Sequence, residues 1–211
     1  MAFDFKKAYK EIYLPSKKPT IIEVPAMSFF AIEGKGDPNE VGGAYQQGIG
    51  LLYGLAYTLK MSARNKHVID GFFDYVVPPL EGFWWQEGIK GIDRTRKDEL
   101  SFISVIRVPD FVTEQDFLWA KQEATQKKQQ DYSKVHFRQF EEDLCVQCMH
   151  IGPYDDEDRT VEKMDQWMAE QGYVSDFSET RYHHEIYLSD PRRSQPEKWR
   201  TVIRHPIKKK G

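Results

Sequence analysis

Hydrophobic and polar positions along the chain fall into two stretches that run through the same order of elements. The first opens with TIIEVPAMSFFAIEG, Thr20 to Gly34, whose β-branched and aromatic residues predict a strand pair or one long strand. A GKGDPN turn leads into EVGGAYQQGIGLLYGLAYTLK, where Tyr45, Ile49, Leu52, Ala56 and Leu59 keep the spacing of a buried helical face. A strand, GFFDYVVPP, follows, then a Gly/Trp-rich segment, LEGFWWQEG, and a closing strand, LSFISVIRVP. The second stretch has a strand, VHFRQFEEDLCVQCMHIG, a GPYDDED turn and a helix, RTVEKMDQWMAEQG. That helix carries Val161, Met164 and Met168 on one face and stops at a C-capping Gly172. The strand RYHHEIYLSD, the turn DPRRSQPEK and the closing strand WRTVIRHPI complete it. The endings ISVIRVP and RTVIRHP match closely. Between the stretches, Val112 to Gln130 has helical composition and opens on Thr113 and Asp116, the spacing of a capping box.

The fold class this predicts is α+β: two pseudo-symmetric strand–helix–strand–strand repeats in one domain, residues 1–211. The first repeat covers about residues 20–109, a connecting helix about 112–131 and the second repeat about 135–207. Such a duplication packs its sheets edge to edge or face to face, lays its helices on one side and leaves a central groove between the halves.

Composition narrows the function classes. Lysine and arginine number 30 against 33 acids, and the basic clusters are short, so a direct nucleic-acid interface is not expected. No apolar run approaches the ~18 residues of a membrane span, and the N-terminus lacks a signal-peptide core, so a cytoplasmic protein without membrane contact is expected. Five Trp, eleven Tyr and thirteen Phe exceed what a core of this size needs, and several stand beside polar residues or glycines. Aromatics with a polar handle line pockets economically, which points to a flat, hydrophobic, aromatic small molecule as the partner. Cys145 and Cys148 form a CxxC, but on a strand, where positions three apart face opposite ways. Two buried reduced thiols are therefore expected, not a redox or zinc pair. The histidines are scattered, and adjacent His183 and His184 cannot ligate one metal from a strand. With no phosphate-binding loop either, neither a metal nor a cofactor is expected.

The segments HIGPYDDE, His150 to Glu157, and HHEIYLSDPRR, His183 to Arg193, resemble signatures of the GyrI-like small-molecule-binding family, which includes the effector domains of multidrug-sensing transcription activators. DYVVPPLEGFWW, Asp74 to Trp85, resembles a stand-alone branch, the cyclopropanoid cyclopropyl hydrolases. The likeness runs from about Thr20 onward. It implies the fold of the multidrug-regulator effector domains and a cofactor-free hydrolase that opens cyclopropane rings of DNA-alkylating toxins. The alternative it leaves is a non-catalytic module that sequesters or senses hydrophobic or cationic drugs. With about twenty residues before the first strand, the regulators' DNA-binding domain is not expected.

Alternation along RYHHEIYLSD puts His183, Glu185 and Tyr187 on one strand face. The resemblance makes Glu185 the acid that meets the guest; an exposed strand face carrying a solvated Glu is the other reading. Glu157 ends the PYDDED turn, where it either joins a helix-capping cluster with Asp155, Asp156 and Asp158 or points into the groove. Glu185 is taken as general base, with Glu157 and a tyrosine as water-orienting or electrophilic partners. Tyr53, Tyr75, Trp84 and Trp85 are the candidate walls. Neighbours on an extended segment point opposite ways, so only one of the two tryptophans can face the groove, and Trp85 is the choice. Tyr53 either lines the groove or caps the core.

Overall fold

The computed structural model describes residues 2–211. Two short helices come first, α1 (Phe5–Ala8) and α2 (Lys10–Tyr13), then strands β1 (Thr20–Val24) and β2 (Met27–Lys35). Helix α3 (Ala44–Lys60), β3 (Leu80–Trp85) and β4 (Ser101–Arg107) complete the first stretch. Helix α4 (Glu114–Lys128) follows, closed at its start by the reciprocal Thr113–Asp116 capping box. The second stretch holds β5 (His136–Phe140), β6 (Asp143–Ile151), α5 (Asp158–Glu170), β7 (Tyr173–Ser175), β8 (His183–Tyr187) and β9 (Arg200–Lys209). Among the described residues no helix is long and apolar enough to cross a membrane.

Two expectations are corrected. GFFDYVVPP forms no strand: Tyr75 makes a single bridge to Phe3, and Pro78 and Pro79 have no N–H to give a ladder. The strand begins directly after them, in the Gly/Trp-rich segment, which the sequence left without an element. The long strand expected before the second helix is two strands, broken at Glu141 and Glu142, with Asp143 in a left-handed conformation.

The strands form one antiparallel sheet in the order β1-β6-β9-β8-β3-β4-β2-β5, with β7 added on β9. The order is symmetric about the β3–β8 seam: β4 mirrors β9, β2 mirrors β6, and β5 mirrors β1. The halves thus join edge to edge, and each half's leading strand is exchanged, β1 pairing with β6 and β5 with β2. β1 and β2 stand six strand steps apart in this order, ~29 Å if the sheet were flat. The two residues between them reach only ~11 Å. The sheet must therefore roll up, as the equally short β5–β6 link also demands.

The rolled sheet has an apolar inside and a helix-covered outside. Phe5, Ile12 and Tyr13 of α1 and α2 plug the inside against Phe29, Phe83, Val105, Met149 and Ile186. On the outside α3 and α4 cover β2 and β4, and α5 covers β6 and β9 through Met164 and Met168. Cys145 lies inside and Cys148 outside, both free and buried. Gly54 lets α3 approach closely, since a Cβ there would fall 2.3 Å from the Tyr132 hydroxyl oxygen.

A buried ionic network ties the plug to the seam from the inside. His184 sets Nε2 3.0 Å from Glu81 and Nδ1 3.0 Å from Glu142. Arg204 donates to Glu142 at 2.8 Å and to the carbonyl of Ile12 at 2.9 Å. Burial works against the charge on Glu142, yet His184 and Arg204 outweigh it and hold the carboxyl at about 2. Burial likewise works against an imidazolium at His184, but Glu142 and Glu81 raise it above its usual value. The depressed Glu142 gives stability that is full above the ordinary carboxylate value of 4.5 and lost as pH falls toward 2. The raised His184 gives stability that is full below 6.5 and lost as pH rises through its folded value. Urea unfolding measured across pH is expected to show greatest stability between these limits, and Arg204→Met should cost about 3–5 kcal/mol by leaving Glu142 half-paired.

Candidate active site

The register at the seam sets Gly82 opposite Glu185 and Trp84 opposite His183. The outer face of the seam, between α3 and α5, therefore presents Trp84, His183, Glu185 and Tyr187. Glu185 is buried, 6% exposed, and not solvated. His183 Nε2 lies 2.8 Å from Glu185 Oε1, and the Tyr187 hydroxyl donates to Oε2 at 2.7 Å while accepting from the Trp84 indole at 2.9 Å. Behind His183, its Nδ1 is 2.7 Å from Nε2 of His205, whose own pKa is driven well down by burial and by His183. The tautomers that satisfy this row have His205 donating to His183 and His183 donating to Glu185.

Glu157 enters from the second half. It is the N-cap residue of α5 but makes no side-chain cap bond, and it is 0% exposed. The turn before it explains the direction. Gly152 has a φ of 141°, a 3-10 turn spans Tyr154–Asp156, and His150 bridges the Pro153 carbonyl at 3.0 Å and the Thr160 hydroxyl at 2.9 Å. Asp155 and Asp158 stay outside, paired with Lys97 and Arg94. The Glu157 side chain thus does not cap α5; it lies buried against Arg94 at 2.6 Å.

Arg94 covers both acids. It comes from the segment between β3 and β4, donates to Glu157 at 2.6 Å and to Asp158 at 3.0 Å, and stands 3.8 Å from Glu185. The buried Gln86 side chain brackets it by bonding Asp93 N–H, Asp93 C=O and Arg96 C=O. In this arrangement Arg94 closes the space beside the two acids.

The surroundings push the two acids in opposite directions. Burial raises Glu157, the charge of Glu185 raises it further, and Arg94 only partly offsets them, so Glu157 lies well above the ordinary carboxylate value. Burial also works against a charged Glu185, but the bond from His183 and the charge of Arg94 pull it below that value. The two acids are therefore pushed apart, with Glu157 the member of the pair that favours the proton and Glu185 the member that favours the negative charge.

Other expected wall residues are distributed differently. Trp84 faces the site, its ring 5.1 Å from that of Tyr45. Trp85 lies on the opposite face, against Tyr182 at 4.7 Å, where it borders a separate recess of about 480 Å³ with Glu33 and Arg138. The alternation argument was sound, but the register selects the other tryptophan. Tyr75 is buried inside with Phe5, because the segment carrying it is tethered to the N-terminus by the Phe3 bridge. Tyr53 is half-buried at the edge of the α3 core beside Tyr57, not among the acids. Residues not proposed for the site from the sequence complete it: Arg94, Tyr45, His205 and Tyr154, whose ring stands 5.6 Å from Tyr187 and 4.8 Å from Trp199. Tyr154 sits within HIGPY and could have been found there, whereas Arg94 in a polar loop carries no signal.

Glu157, His183 and Glu185 also place one ligand atom each within 4.8 Å of one another, a set that could hold a metal ion. Arg94 already stands beside that space, so a metal would have to displace it. Close approach shapes the hydrogen-bonded row as well. A Cβ on Gly82 would fall 2.6 Å from the Trp84 indole nitrogen and 3.1 Å from the Tyr187 hydroxyl oxygen. Gly82→Ala is expected to cost about 1–3 kcal/mol and to shift the Trp84 indole N–H resonance by breaking its bond to Tyr187. An unmoved resonance would contradict this packing.

Comparison with known proteins places this geometry. The family model described as the GyrI-like small molecule binding domain matches residues 17–208. An uncharacterized conserved protein from Listeria innocua is 48% identical, with a TM-score of 0.92 over 98% of this chain and 100% of that one. A structure described as a hydrolase from Listeria innocua is 45% identical, with a TM-score of 0.88 over the same shares. The C-terminal domain of EcmrR, at 15% identity and a TM-score of 0.56 over 91% of this chain and 98% of that domain, shares the fold. No curated protein matches the chain. With the family model spanning nearly its whole length, this chain belongs to the GyrI-like small-molecule-binding domain family.

Proposed function

We propose that the protein is a cofactor-free hydrolase that opens the cyclopropane ring of flat, hydrophobic DNA-alkylating toxins, a detoxifying activity in the cytoplasm that confers drug resistance and needs no contact with nucleic acid or membrane. The observation that carries this reading is the carboxyl pair, Glu157 and Glu185, buried side by side with pKa values pushed in opposite directions. Paired acids with separated protonation states are suited to coupled proton transfer. The name hydrolase attached to a relative at 45% identity supports it.

A spirocyclopropane conjugated to a dienone is a substrate class that fits. Water attacks the ring methylene and one ring C–C bond breaks. Its electron pair passes to the carbonyl oxygen, giving a phenolate. Glu185 accepts the proton lost by water, and Glu157 supplies one to the phenolate oxygen. Transfer from Glu185 back to Glu157 resets the pair, so no net proton is consumed. His183, Tyr187 and Arg94 hold Glu185 in the ionised form that the first step needs. The same observations weaken Glu185 as a base, so part of the barrier must be met by positioning water and by desolvation.

The test is incubation with a spirocyclopropyl dienone in ¹⁸O-labelled water, followed by mass spectrometry. Product in excess of protein, carrying one label at the former ring methylene, is expected. Protection of the compound that stops at one equivalent, with no labelled product, would replace the hydrolase with a sequestering or sensing module.

A further inference from the structure

Resting on that reading of the site, we propose that Arg94 fixes the charge class of the guest: the site takes uncharged planar molecules and turns away organic cations, because its own guanidinium already fills the cation's place. Arg94 places a positive charge 2.6 Å from Glu157 and 3.8 Å from Glu185, so the place beside the acids that a cation would take is already occupied. An aromatic-walled pocket with a bare buried carboxylate attracts a lipophilic cation, by charge and through its rings. Here such a cation would meet a guanidinium at close range, a like-charge contact that costs several kcal/mol in a desolvated site.

The guanidinium is aimed by the fold. Gln86 is buried at the end of β3 and bonds backbone groups on both sides of Arg94, so the loop presents that one side chain inward. The outer ties of the same loop, Arg94 to Asp158 and Lys97 to Asp155, have carboxylates 66% and 73% exposed. Exposed pairs hold weakly, so the inner bond from Arg94 to buried Glu157 is what seats the loop over the acids. The loop belongs to the first half and its partners to the second, so guest charge is read where the halves meet.

The experiment uses two probes of nearly equal shape, uncharged acridone and cationic N-methylacridinium, titrated calorimetrically at neutral pH into wild type, Arg94→Ala, Arg94→Lys and the double variant Arg94→Ala/Glu185→Gln. Wild type and Arg94→Lys are expected to favour acridone by about tenfold or more. Arg94→Ala should gain at least about tenfold for the acridinium, a gain the double variant loses because the uncompensated charge is gone. A wild type that binds both probes equally, or an Arg94→Ala protein with an unchanged ratio, overturns the proposal even if ring opening proceeds. A reversed ratio without turnover by wild type keeps it and removes the hydrolase. Failure of both probes to bind wild type and Arg94→Ala removes both.

Discussion

Glu185→Gln is expected to slow ring opening by about 10²- to 10⁴-fold, the range for loss of a positioned general base, while leaving KM within a few-fold of wild type. The amide keeps the shape of the side chain, and its oxygen can still accept from Tyr187 or His183, so the walls and the seam persist. It cannot take the proton of an attacking water. The change also reaches Glu157. The charge of Glu185 is one of the causes holding Glu157 protonated. Without it burial alone opposes Arg94 at Glu157, so the variant loses the acceptor of the proposed step and weakens the hold on the donor's proton. Single-turnover kinetics separate this from weaker binding. A Glu185→Gln protein that turns over as fast as wild type would end the proposed mechanism.

The second large effect is on the alkaline side of the pH profile. Glu157 has a folded pKa raised above its ordinary value, so its proton is present below that folded value and lost as pH rises through it. Turnover should therefore fall about tenfold per pH unit beyond that point, as the donor to the phenolate disappears. The same sign applies to stability: a raised carboxyl favours the fold at low pH and costs it progressively as pH rises. Glu157→Gln is expected to abolish the alkaline limb, because an amide donates a hydrogen bond at every pH, while lowering the plateau because it gives up no proton. The two limbs belong to the coupled pair as a whole, so the acid limb should move as well when Glu157 is replaced. An alkaline limb that survives in Glu157→Gln would assign it to another group.

Periodicity made α3 and α5 legible in the sequence, composition and the Thr113–Asp116 spacing made α4 legible, and alternation made β8 legible. The face assignment along β8, with His183, Glu185 and Tyr187 together, follows from strand geometry alone, and so does the separation of Cys145 from Cys148. The β3 boundary was not legible. Its residues, LEGFWW, include a glycine and a charged Glu81, which fit a buried strand only once His184 and Tyr13 are placed beside that carboxylate. The exchange of β1 and β5 between halves is a long-range pairing that no local pattern encodes. Trp85 and Tyr75 went astray because alternation says that neighbours diverge but not which of them meets a given partner strand. Arg94 was invisible for a related reason: it sits in a polar loop and acquires its role from Gln86 on one side and α5 on the other.

The central claim is that a single proton resides on the Glu157–Glu185 pair at neutral pH, on Glu157. Carbon-detected NMR of protein labelled at the glutamate δ-carbon tests it directly. The account predicts one buried carboxyl resonance that stays in the protonated position through neutral pH and vanishes in Glu157→Gln, with the Glu185 resonance ionised throughout. If every glutamate δ-carbon has reached its ionised position before neutrality, the pair is a plain double anion held by Arg94, and the proton-transfer account is wrong.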